Sequence, residues 1–135
     1  MANALYDKGR EGFLDGSIDW DTDDIRLVLV DTGAYTVNLA THDFLDDIPV
    51  GARIAVSGSL TGKTVAAGVA DAVDVILALV SGVQCEALVL YKHTGADATS
   101  RLIAYIDTAT GLPVTPNGGN INVVWDNGAN KIFKL

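Results

Sequence analysis

The sequence predicts an all-β fold, an antiparallel β-sandwich of the jelly-roll kind with an N-terminal arm or short helix. Three observations carry the prediction. Residues 85–91 and 101–107 are apolar runs joined by the polar break KHTGADATS, the pattern of a β-hairpin. Asn127-Gly128 sits between two further β runs, the strongest short-range hairpin signal. Roughly seven to nine short strand-like runs recur with turn residues between them, which is the spacing of a sandwich or barrel.

Taken in order, residues 1–20 form the arm. ANALYDKGREGFLD has partial helical character, but Gly9 and Gly12 each cost about 1 kcal/mol against Ala in a helix. Such arms are weakly held unless docked, and Tyr6 and Phe13 point to docking. Residues 15–24, DGSIDWDTDD, read as an acidic turn. Asp19, Asp21 and Asp23 imitate the start of a calcium loop, but an EF-hand then needs Gly and Glu where this chain has Asp24 and Val30, so no metal is expected.

Strands are predicted at 25–31 and, shorter, at 35–39. The segment ATHDFLDDIP is ambiguous between a helical turn, which Thr41 would cap and Pro49 end, and a loop. Residues 52–60, 63–70 and 73–80 are three more candidate strands. In the central hairpin Cys85, Ala87, Val89 and Tyr91 fall on one side and Leu88 and Leu90 on the other. The second strand sets Leu102, Ala104 and Ile106 against Ile103 and Tyr105. Both faces are apolar, so both need cover, from the chain itself or from a neighbour. GLPVTPNGGN is a long loop, and 121–126 and 131–135 are the final pair of strands.

The bulk numbers fit one domain of 135 residues. Hydrophobic residues make up 49% and charged residues only 19%, below the roughly 25% of an average soluble domain. Mean hydropathy is +0.29, yet the longest apolar run, 75–80, is far short of the ~20 residues a membrane span needs. No membrane partner is expected, and the opening residues lack the apolar core of a secretion signal. A net charge of -8 argues against nucleic acid, whose phosphates need clustered Lys and Arg.

Chemical motifs fail one by one. SGSLTGKT at 57–64 imitates a phosphate loop, but only three residues separate Gly58 from Gly62 where four are required. His42-Asp43 has no nucleophile elbow beside it. Asp46 and Asp47 are adjacent and would point apart on a strand, unlike a glycosidase pair. Cys85 alone excludes a disulfide framework and reads as a small buried hydrophobe. Trp20 and Trp125 read as core or interface anchors rather than sugar platforms. No catalytic residue and no cofactor are expected.

GREGFLDGSIDWDTDDIRLVLVDT near the start, ALVLYKHTG in the middle, and TATGLPVTPNGG with WDNGANKIFKL at the end resemble a family of small virion proteins of tailed bacteriophages. The resemblance covers the whole chain. In size and β character it is similar to capsid cement or decoration proteins, which implies location on the outer capsid surface of the virion and the major capsid protein as partner. A homodimer or higher homo-oligomer is expected, since one patch used twice suits such symmetry. The interface is placed on Tyr6, Phe13, Trp20, Leu88, Leu90, Ile103, Tyr105 and Phe133. The alternatives are a tail, head–tail connector or fibre-base protein, and a lectin-like host-binding module.

Overall fold

The computed structural model describes residues 3–109 and 111–135. In chain order its elements are β1 (Ala4–Leu5), α1 (Asp7–Leu14), β2 (Ile25–Val30), β3 (Arg53–Val56), β4 (Thr64–Ala66), β5 (Val69–Asp71), β6 (Val75–Leu77), β7 (Ala87–Lys92), β8 (Leu102–Ile106), β9 (Ile121–Val123) and β10 (Phe133–Lys134). The fold is all-β, its sheets antiparallel, with the one α-helix at the N-terminal end.

The three most apolar runs fill the middle of one five-stranded sheet, ordered β1-β8-β7-β2-β3. β7 and β8 form the expected hairpin, and β2 pairs β7 in unbroken register from Ile25↔Lys92 to Val30↔Ala87. The β7–β8 register slips once, so that Leu90 faces Ala104 while Tyr91 faces Leu102. Ile103 is the extra residue of a β-bulge, which re-aims the side chains beyond it. Strict alternation in β8 is therefore wrong: Leu102 and Tyr105 share one face, and Ile103, Ala104 and Ile106 the other.

Both faces are covered from within the chain. On one, Leu27, Leu29, Leu88 and Leu90 pack against Trp20, Leu60, Ala70, Leu77 and Trp125. This cover comes largely from two smaller sheets, β10-β5-β4 and β6-β9, which gives a layered, sandwich-like packing. On the other, Val28, Val30, Val89 and Tyr91 lie under Tyr35, Leu45, Ile48 and Ala52. The described strands divide five, three and two, so the eight-stranded double sheet of a jelly roll is not reproduced.

Several boundaries differ from expectation for physical reasons. Residues 35–39 pair with no strand; they run over the second face and bury Tyr35, with Val37 and Leu39 packed beside it. Residues 63–70 are a hairpin rather than one strand, because Ala67 and Gly68 both take positive φ, 53° and 77°, as a tight two-residue turn requires. The Asn127-Gly128 hairpin does not form. β9 pairs with β6, β10 pairs with β5, and the loop between them is shaped by Asp126 accepting the Gly128 amide at 3.1 Å. The helical turn before Pro49 is a single 3-10 turn, Leu45–Asp47, and no Thr41 side chain caps it.

The N-terminal arm is built into the sheet. β1 pairs β8 through Ala4↔Tyr105 and Leu5↔Ala104, and the Tyr6 amide donates to the Ile103 carbonyl at 2.9 Å. The two glycines that weaken α1 as an isolated helix are its two buried residues. A Cβ on Gly9 would stand 2.8 Å from both the Leu102 and Ile103 carbonyl oxygens, so only glycine lets the helix lie on the β8 backbone. We predict that Gly9→Ala lowers stability by about 1–3 kcal/mol in urea unfolding, overpacking outweighing alanine's better helix propensity. Gly51→Ala, where a Cβ meets nothing within 4 Å, is expected to be near neutral.

Candidate functional site

The structure places six of the eight interface candidates in the chain's own interior. Tyr6, Trp20, Leu88, Leu90, Ile103 and Tyr105 are all buried. Phe13 and Phe133 are half-buried and touch each other at 5.7 Å between ring centroids, with Trp20 edge-on to Phe133 at 5.2 Å. These residues hold elements of one molecule together, because the small sheets and the N-terminal segment supply the cover that a partner would otherwise bring. An aspartate at Leu90 or Tyr105 would therefore act through folding.

Both indoles are also committed. Trp20 donates its ring N–H to the Asp71 carbonyl at 3.0 Å, and Trp125 donates to the Val73 carbonyl at 3.1 Å. Each is buried, so neither presents a face on which a sugar ring stacks, and the lectin-like alternative loses its platform.

The acidic turn draws its cations from the chain. Lys92 Nζ lies 3.1 Å from Asp23 Oδ2 and donates to the Ser17 carbonyl, and Lys63 donates to the Asp23 carbonyl. Asp23 also accepts the Asp19 amide at 2.7 Å. Arg26 grips Asp24 with two hydrogen bonds, at 3.0 and 2.9 Å, which holds that carboxyl below its ordinary range. A second cluster joins Asp43 to Asp46 and Asp47, the pair expected to point apart, with one carboxylate oxygen of each within 4.8 Å of the others. The 3-10 turn gathers them, where strand geometry would have spread them. Asp47 is already engaged, accepting the Asp43 and Phe44 amides at 2.7 and 3.4 Å, which is a capping role.

His42, half-buried, ends a hydrogen-bonded relay that begins at the buried Tyr6 and Tyr35. The Asn38 amide donates to His42 Nδ1 at 3.2 Å, so that nitrogen carries no proton. Tyr35 therefore donates to Nδ1 at 2.8 Å and accepts from the fully buried Tyr6 at 2.9 Å. The Cys85 thiol is buried, donates to the Val83 carbonyl at 3.4 Å, and is pushed up to about 11 by burial. It is inert as a nucleophile at neutral pH.

Two surface features remain. An open groove of about 1290 Å³ lies between the central sheet and the C-terminal segment, with Leu88, Ile106, Val114 and Ile121 in its lining. Beside it, β6 and β9 begin a ribbon that continues past the strands: Val80 exchanges backbone hydrogen bonds with Gly118 and Gly119, Asn120 accepts the Leu79 amide, and Cys85 bridges Val114. The chain matches no known protein-family model and no curated protein.

Two predictions follow from the tyrosines. Tyr35→Phe leaves the buried Tyr6 hydroxyl without its acceptor and should cost about 1–3 kcal/mol in urea unfolding. All four tyrosines are shifted upward, chiefly by burial, with Tyr35 at about 12. Above about pH 10 the unfolded chain releases phenolic protons that the folded chain retains. Stability is thus fully present below pH 10 and falls as pH rises toward 12. Tyrosinate absorbance should appear together with loss of the β circular dichroism signal, and a non-cooperative rise centred at pH 10 in folded protein would contradict this.

Proposed function

We propose that the chain is a structural protein of the bacteriophage virion, a cement or decoration protein that binds the outer face of the major capsid protein shell and stabilises it. The observation that carries this reading is what remains outside a finished core. With both faces of the central sheet covered, ten large apolar side chains among the described residues still stand exposed, among them Leu14, Val50, Val65, Ile76 and Val124. Much of their apolar surface stays in water after folding, and contact with other proteins would cover it. A contact of ~800 Å² per partner is enough for a specific complex, and repetition over a symmetric shell multiplies weak contacts.

The remaining features agree. The acidic charge of -8 suits an outer surface and not contact with packaged DNA. Asp23 and Asp24 are occupied with ion pairs, Asp47 with capping, and Tyr6, Tyr35 and His42 with hydrogen bonds to one another. The resemblance to virion proteins points the same way.

The test is binding of the purified chain to expanded shells that lack it. Saturable co-sedimentation, with shells that melt at a higher temperature, is the expected result. Cryo-electron microscopy of the intact particle should then find hundreds of copies on the outer shell. A few copies at the portal or tail would move the protein to the connector or fibre-base class, and absence from the particle would end the virion reading.

A further inference from the structure

Residues 75–85 and 108–125 contain no charged side chain, in a chain with 17 acidic and 9 basic residues. The fold brings these two segments together. Val75↔Val123, Ile76↔Asn122 and Leu77↔Ile121 are paired, and the backbone contacts continue to Cys85↔Val114. The result is one charge-free ribbon at one end of the molecule. Its inner side, with Leu77, Val75, Ile121 and Val123, packs on the core. Strand alternation sends Ile76, Asn122 and Val124 outward. Ile76 is 65% exposed, Val124 69%, Leu79 76% and Val83 54%. Acidic residues bound the uncharged stretch, Asp74 and Glu86 on one segment and Asp107 and Asp126 on the other. Asp74 and Asp126 are exposed beside Val124, where they accept the Trp125 and Gly128 amides of their own chain at 2.9 and 3.1 Å.

Leu79 adds a second observation. Its φ is +52°, a conformation that L residues avoid and glycine adopts freely. Its side chain lies in solvent, so the leucine contributes nothing to the core of its own chain. An unfavourable backbone holding an apolar side chain outward points to use at a contact.

We infer that this ribbon is a self-association face, taking the ribbon of a second copy across a two-fold axis. The electrostatics select this occupant. In a two-fold contact, residues near the axis meet their own equivalents, so any charge there meets its like. Across most of its surface a copy of net charge -8 repels another, and the stretch of ribbon beyond its Asp74 and Asp126 end is where two copies approach without opposing charges. A different partner could offer complementary charge and would not need a charge-free face. Ile76 and Val124 are among the exposed side chains that the capsid reading also uses, and the test separates the two occupants.

Sedimentation of the full chain, at concentrations from about 1 to 200 μM, tests it. Twice the 14.1 kDa chain mass is expected, with association unchanged or strengthened as salt rises from about 0.05 to 0.5 M, because screening weakens residual repulsion. Ile76→Asp with Val124→Asp should weaken association by about 100-fold or more with circular dichroism unchanged. Leu79→Gly, which relaxes the backbone, should raise the urea midpoint while weakening association about tenfold, and it decides the matter if the aspartate variant fails to fold. A wild-type monomer throughout, a dimer dispersed by salt, or a dimer untouched by these variants would overturn the inference. A monomer whose shell binding is lost in Ile76→Asp/Val124→Asp would overturn it too, assigning the ribbon to the shell.

Discussion

The structure depends on a sheet whose middle strands are apolar on both sides. β2, β7 and β8 expose almost nothing, and at roughly 25 cal/mol per Å² of apolar surface removed from water such strands cannot be left open on either face. Everything else is recruited to close them. The small sheets bring Ala70, Leu77 and Trp125 to one side, and residues 35–52 bring Tyr35, Leu45 and Ile48 to the other. The helix is admitted only through Gly9, because its contact with β8 is backbone against backbone. The Tyr6–Tyr35–His42 relay is a consequence of the same demand. Aromatic residues large enough to cover the second face carry hydroxyls that must find partners once buried.

The sequence made the central sheet legible because its runs are long, apolar and bounded by turn residues. The all-β class and the β7–β8 hairpin could be read for that reason. What stayed hidden lies where local signals and tertiary pairing disagree. Asn127-Gly128 is a strong hairpin signal, yet the strands it separates find better partners in β6 and β5, and no local rule knows of those. Ala67-Gly68 makes a true hairpin while looking like strand, since alanine gives no hint of positive φ. The bulge at Ile103 is likewise invisible to a period of two.

The interface candidates taken from the same runs show a related limit. A pattern apolar on both faces states that cover is needed but not who supplies it. Six candidates were covered by their own chain, and the surplus that stays outside sits in weaker stretches such as 75–85. There the better signal was the missing charge, which is visible in the sequence once the two uncharged segments are known to be neighbours.

The pairing of β1 with β8 joins residues about a hundred positions apart, Ala4 with Tyr105 and Leu5 with Ala104. During synthesis β1 therefore waits for about a hundred further residues before the strand it docks on is made. Non-local pairing of this kind slows folding, and until β7 arrives the apolar β2 lacks its central partner and is open to aggregation. High-level expression should accordingly be limited by the lifetime of nascent and newly released chains more than by the stability of the finished fold.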